Sequence, residues 1–444
     1  MSTAATPDPA GHKLGPFWFV PGYSWANIGT VNIYAFCTMA AITFMSFAQP
    51  VILTDILQIP EERQGRVTGN IAAIAEVFSL ILVGFFGAWS DKVGRRTVFA
   101  IGFGLVALSY FLYPLASSEG ELLIYRLIFA TGSAVGAVML SAAIQDSVQE
   151  GSRGKWVAIN SIFTGFGVLL MSLVFARLPD ILVGMGYAAA DAARYAFWTV
   201  SGFTASAAVI IWLGLKKGVT AQDPDSGSLL TKMQTGFRIA VDNPRIAVAY
   251  GAAFIGRGDL IIVSTFLSLW VVQYGTQNGF DTAESLKRAG MMFGVIQGAA
   301  LLWSYFIGLI ADRINRLMAL GLGLAIAAVG YGGMGLVDDP FARQAIWIGI
   351  ILGMGEISVL IAAGVLIGQD APIRLRGTIL GLFSIMGSAG ITFATLAGGY
   401  VFDKIAPNAP FLMMGILNGA LCLSAVWVKL REGKQPAQPA DQAL

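Results

Sequence analysis

Runs of apolar residues, each near twenty positions long and separated by short polar corners, fill most of the chain. About 20 such residues in a helix rising 1.5 Å each cross the hydrocarbon core of a bilayer. On that ruler the pattern predicts twelve helical spans, near 28–53, 67–90, 97–116, 122–145, 156–176, 194–215, 246–272, 288–311, 317–337, 343–367, 377–401 and 410–428. The most polar interval, 216–245, holds Lys216, Lys217, Asp223, Asp225, Lys232, Arg238, Asp242 and Arg245, and it separates six spans from six. The predicted organisation is therefore a tail and interfacial approach over 1–27, a six-helix bundle over 28–215, a linker over 216–245, a second bundle over 246–428 and a tail over 429–444. Within the linker, Leu230, Met233, Phe237 and Val241 recur at helical spacing, which predicts an amphipathic helix over Leu229–Val241 lying on the membrane face. The aromatic stretch 16–27, with Phe17, Trp18, Phe19, Tyr23 and Trp25, reads as an interfacial approach to the first span.

Two polar corners are echoed in the second half. Gly87, Asp91, Lys92, Gly94, Arg95 and Arg96 stand between the second and third spans, and a degenerate copy with Gly308, Asp312, Arg313 and Arg316 recurs 221 positions later (Asp91 to Asp312). Asp146 followed by Arg153 introduces the fifth span, and Asp370 followed by Arg376 introduces the eleventh, at offsets of 224 and 223. Two independent markers at nearly one offset make the chain a duplication, the internal symmetry of many secondary transporters.

Composition agrees with a membrane solvent: 56% of the 444 residues are hydrophobic, 12% are charged and the mean hydropathy is +0.71. With both termini inside, 18 Lys or Arg lie on the cytoplasmic side against 8 outside, an orientation favoured by the positive-inside rule. That places the protein in a plasma or bacterial inner membrane. A net charge of +2 implies no nucleic-acid partner. No short apolar core with a cleavage site precedes the first span, so no removed signal peptide is expected. Cys37 and Cys422 both fall in spans and read as packing residues, and neither a metal nor another cofactor is expected. The one histidine, His12, lies in the tail, so proton coupling would have to use carboxylates. No G-x-x-x-x-G-K-[ST] string offers a phosphate cradle for ATP.

With Gly87, Asp91, Lys92, Gly94, Arg95 and Arg96 the chain resembles the major facilitator superfamily, whose corner between the second and third helices reads G-x-x-x-D-[RK]-x-G-[RK]-[RK]. Asn315 and Leu317 replace a glycine and a basic residue in the second copy, which predicts a looser corner there. Arg126, Ala130, Gly132 and Gly136 resemble the family's fourth-helix pattern, with alanine at one glycine position. The Gly-Pro signature of drug-proton antiporters in the fifth helix is missing between Ile159 and Ala176, which counts against a multidrug exporter. The resemblance implies an all-α fold of two pseudo-symmetric six-helix bundles that rock about a midplane site, acting as a monomer.

The corner charges suit a latch. Asp91 is expected to pair with Arg374 or Arg376, and Asp146 with Arg95 or Arg153, while Asp312, Arg313, Arg316 and Asp370 repeat the arrangement. Such pairs would form when the cytoplasmic side closes and break when it opens. Ionisable groups at bilayer depth cost several kcal/mol unless partnered or wet, so they are candidate site residues. These are Glu76, Arg257, Asp259 and Glu356, together with Arg126, which lies nearer the outer end of its span and could snorkel; the family likeness gathers Arg257, Asp259 and Glu356 on the C-terminal side of the cavity. Either Arg257 and Glu356 form a fixed ion pair, or Arg257 attracts an anionic solute while Asp259 or Glu356 takes up a proton. Gly256 and Gly258 permit either a distorted helix or a close approach. Tyr34, Gln49, Asn70 and Gln297 are candidate hydrogen-bonding partners of a solute, Trp303 a candidate stacking partner, and Gln49-Pro50 marks a kink.

The resulting expectation is a secondary transporter, not an enzyme, that moves a small organic solute across the bilayer by alternating access, with protons as the favoured coupling ion. The alternatives are a receptor or scaffold that keeps the fold without transport, and an exporter of amphipathic compounds.

Overall fold

The computed structural model describes residues 12–14, 17–149, 152–215, 238, 243–371 and 375–432. These residues form α1 Trp25–Val51, α2 Glu61–Val93, α3 Arg95–Leu112, α4 Glu119–Ser147, α5 Arg153–Leu173, the short α6 Leu178–Gly184, α7 Ala189–Gly214, α8 Pro244–Ile261, α9 Leu267–Gln277, α10 Thr282–Arg313, α11 Arg316–Met334, α12 Arg343–Asp370, α13 Arg376–Lys404 and α14 Ala409–Glu432. Every predicted span falls on one of these helices, the seventh on α8 and α9 together. Eleven helical segments are long and apolar enough to cross a membrane, and α4, with 29 residues, completes the twelve. The helices overrun the apolar cores because their polar ends are good helix ends. Glu61 and Glu62 occupy the first turn of α2, where carboxylates oppose the positive end of the helix dipole. The expected linker helix Leu229–Val241 lies outside the described residues, Arg238 apart.

Close crossings rest on glycine. A Cβ on Gly167 of α5 would run into the Phe36 carbonyl of α1, and a Cβ on Gly390 of α13 would run into the Phe254 carbonyl of α8. Gly390 follows Gly167 by 223 positions, the offset of the sequence echo, so each half carries the same tight crossing at the same repeat position. The first helix of each half also loosens near its far end. Pro50 interrupts α1, and a π-helical turn follows over Ile52–Ile56; a second π turn, Ile262–Phe266, joins α8 to α9. Proline removes a backbone donor and crowds the preceding turn, so α1 is weakened at Pro50, just before the π turn begins.

The motif corner is closed by Gly94, whose φ of 93° is accessible to glycine and whose N–H bonds to the Ser90 carbonyl at 2.9 Å. The second copy closes differently. Asn315 keeps a negative φ and accepts a bond from the Leu317 N–H at 3.0 Å, so a side-chain cap replaces the glycine turn.

Part of the aromatic approach forms a strand, β2 Phe17–Phe19, that pairs antiparallel with β1 His12–Leu14. Phe19 is fully buried and meets Trp156 edge-on at 5.1 Å, while the Val20 N–H bonds to the Ser147 carbonyl and the Gln149 N–H to the Trp18 carbonyl. Phe17-Trp18-Phe19 is a continuous aromatic run without alternation, so periodicity alone did not mark it as a strand.

By contact the chain forms two compact units, Met1–Pro224 with Ser264–Gln297, and Asp225–Val263 with Gly298–Leu444. The boundary between Val263 and Ser264 falls inside the second π turn. Within the first unit, α9 and the start of α10 pack against the N-terminal helices: Gln273 bonds to Gln64 at 3.1 Å, Lys287 pairs with Asp180 at 3.0 Å, Thr282 donates to Asp55 at 2.8 Å and Phe47 meets Phe293.

Candidate functional site

In the first unit, α1 is buried along most of its length and presents Tyr34, Thr38, Ser46 and Gln49 to its neighbours. Tyr34 is sealed in the interior, its hydroxyl donating to the Gly136 carbonyl at 2.6 Å and its ring edge-on to Phe99. Gln49 accepts from the Tyr113 hydroxyl at 3.1 Å and donates to the Thr68 hydroxyl at 3.2 Å. Both side chains spend their hydrogen-bonding capacity on the protein. Asn70 instead lines a groove of about 380 Å³ with Arg63, Arg66 and Glu119. Glu76 and Gln297 are half-buried and engaged with neighbours.

Arg126 is different. Ser118 caps α4 by accepting from the Glu121 N–H, and two turns further Arg126 turns into the bundle, leaving 6% of the residue exposed. Its Nη2 donates to the Ser46 hydroxyl at 2.7 Å, and its guanidinium carbon lies 5.1 Å from the centre of the Phe129 ring. Nε and Nη1 are buried without a hydrogen-bond partner, and among the described residues no carboxylate pairs with this cation. A buried guanidinium with open donors costs several kcal/mol until something negative or water-like meets it.

The second unit holds the complement. Asp259 of α8 is fully buried and Glu356 of α12 is 2% exposed. The Asn418 amide of α14 donates to both Asp259 oxygens at 3.1 and 3.0 Å, and the Tyr331 hydroxyl of α11 donates to Glu356 at 3.1 Å. Asp259 of α8, Tyr331 of α11, Glu356 of α12 and Asn418 of α14 thus form two buried hydrogen-bonded pairs in the second unit.

Arg257 does not join them. Residues two apart on a helix point about 200° apart, so with Asp259 inside, Arg257 is exposed, its stem against Gly387. The ion pair with Glu356 does not form among the described residues, and Glu356 takes Tyr331 instead. Gly258 admits Met414 and Ala394, at 3.0 and 3.2 Å from a Cβ placed there, and Gly256 admits Val359. Close packing therefore accounts for both glycines, and the distortion lies one turn further, in the π turn. Trp303 donates to Ser358 at 3.0 Å.

At the corners, Arg95 pairs with Asp146, and both are largely buried. Burial beside this pair pushes the Tyr23 hydroxyl up to about 12, with Asp146 adding to the effect and Arg95 opposing it. Asp370 pairs with Arg245 at 2.5 Å, a partner from the start of α8 that the repeat did not indicate. Arg316 turns to the Ala311 carbonyl, and Arg313 is exposed. The side chains of Asp91, Lys92, Arg153, Asp312 and Arg376 lie outside the described set, as do Gly87 and Arg374. Tyr331, Asn418 and Ser46 were missed. A lone Asn inside the apolar run 409–428 was the available signal, since an amide at bilayer depth needs a partner.

Comparison with known proteins gives one family model, Major Facilitator Superfamily, matching residues 31–395 and 285–443. The magnetosome protein MamH of Paramagnetospirillum magneticum is 27% identical over 426 residues, covering 91% of this chain and 94% of MamH. The magnetosome protein MamZ of the same organism is 26% identical over 411 residues, covering 89% of this chain but only 62% of MamZ. The solved structure of the nucleoside transporter NupG superposes with a TM-score of 0.69 at 14% identity, covering 92% of this chain and 99% of NupG, a likeness of fold.

Proposed function

Because the chain belongs to the Major Facilitator Superfamily, we propose that this multi-pass membrane transporter carries a small organic anion by alternating access, coupled to protons. Family membership makes it a transporter and not an enzyme. The observation that carries the finer reading is Arg126, a buried cation with two open donor nitrogens and no paired carboxylate among the described residues. A carboxylate oxygen of a solute supplies both the missing acceptor and the missing charge. In the other unit, Asp259 is a fully buried carboxyl that meets the neutral Asn418 amide, and Glu356 beside it accepts from the Tyr331 hydroxyl, an environment that suits a carboxyl that exchanges a proton. The surplus of Lys and Arg in the corners supports cytoplasmic termini in a plasma or bacterial inner membrane.

The test is tracer uptake into proteoliposomes from a panel of small carboxylates, sugars and lipophilic cations, with wild type beside Arg126→Leu. The expected result is carboxylate uptake that falls about tenfold or more in Arg126→Leu, as the loss of a charged hydrogen bond requires. Removing an uncompensated buried charge leaves the protein folded, which a melting curve checks. Normal uptake by Arg126→Leu, or uptake of the sugars or cations alone, would set the anion reading aside.

A further inference from the structure

We infer that Asn418 is a positioning residue for Asp259, and that its amide changes orientation with the proton on that carboxyl. The inference rests on the proton-coupling reading above and goes further, to a residue no sequence motif marks. Both oxygens of Asp259 accept from the same Nδ2, and that nitrogen also donates to the Met414 carbonyl one turn back on α14 at 3.0 Å. Asn418 is fully buried, and its Oδ1 has no hydrogen-bond partner. The arrangement therefore supplies donors only, which is what an ionised carboxylate accepts.

A proton on Asp259 reverses the demand. One oxygen becomes an O–H donor facing another donor, and a donor without an acceptor in an apolar interior is destabilising. The atom that can answer it is the unused Oδ1. Rotation of the amide brings Oδ1 to the carboxylic acid and gives up the bond to the Met414 carbonyl, whose own helix bond remains. No covalent bond changes: the proton comes from bulk water, resides on a carboxyl oxygen of Asp259 and is shared with Oδ1. The titratable groups that influence Asp259 are Glu356 on α12 and Tyr331 on α11. On its own helix Arg257 points away, α13 offers Gly390 and Ala394 at this level, and on α14 the thiol of Cys422 is held by the Gly321 carbonyl. Asn418 is thus the polar, non-titrating neighbour that reads the proton, and it sits against the helix that turns into the π segment at Ile262.

The experiment is an isotope-edited infrared pH titration of the purified full-length protein in nanodiscs, which needs no solute. The Asp259 carboxyl band is assigned by its loss in Asp259→Asn. Wild type is compared with Asn418→Leu, which has no polar atoms, and Asn418→Asp, which keeps the shape and lacks the amide donors; melting curves confirm folding. The expected result is a displaced carboxyl frequency in both variants and a titration midpoint moved by about one pH unit in Asn418→Leu. An Asp259 band that never titrates, or one that titrates with unchanged frequency and midpoint in both variants, overturns the inference. Proton flux in proteoliposomes tests the coupling reading separately, so a transporter that moves no protons would be recognised as such whatever the titration gives.

Discussion

At the scale of single residues, the interior charges divide by whether the protein answers them. Asp259 and Glu356 are answered by Asn418 and Tyr331, while Arg126 keeps two open nitrogens and Arg257 lies exposed. A side chain exposed to a wet cavity, with no ion pair among the described residues, contributes little to folding, so Arg257→Ala should change the unfolding free energy by no more than about 0.5 kcal/mol. Denaturant or thermal unfolding of the purified protein measures this, and a loss of several kcal/mol would show that Arg257 has a structural partner. Which charges sit inside was legible in the sequence, because apolar runs make any interruption visible. Which way each one points was not, because a shift of two positions on a helix separates core from surface, and span boundaries are uncertain by that much. Arg257 and Asp259, grouped by sequence reasoning, fell on opposite sides for this reason.

At the scale of elements, glycine sets how closely the helices cross, and the two halves use it alike. Gly167 against Phe36 and Gly390 against Phe254 are one crossing used twice. Adding a methyl group at Gly390 forces α8 and α13 apart, so Gly390→Ala should cost about 1–3 kcal/mol. Gly364→Ala, where a Cβ meets nothing within 4 Å, should be neutral or slightly stabilising. Equal melting temperatures for the two variants would contradict the crossing as described. The helices themselves were readable from length and hydropathy, since a bilayer imposes both. The π turns were not, apart from Pro50, because Ile262–Phe266 carries no proline and is specified by packing. The pairing of β1 with β2 was obscured for a related reason, the aromatic residues of β2 suiting an interface as well as a buried contact.

At the scale of the whole molecule, the sequence repeat and the compact units do not coincide. The repeat divides the chain at the linker, whereas Ser264–Gln297, part of the second repeat, belongs by contact to the unit built on the first. Local pattern reports ancestry and topology, but which segments touch depends on the conformation adopted, and no periodicity encodes that. The same division holds for function: the corner motif and the apolar spans reveal a transporter of this superfamily, while neither carries the identity of a solute. Arg126 in one unit and the Asp259–Glu356 group in the other make coupled movement of an anion and a proton the central claim. The most direct test loads proteoliposomes with a pH-sensitive dye and applies a gradient of a transported carboxylate without an imposed pH difference. Coupled transport predicts a pH change inside that tracks tracer entry and disappears in Glu356→Gln; tracer entry with no pH change, equal in wild type and variant, would contradict it.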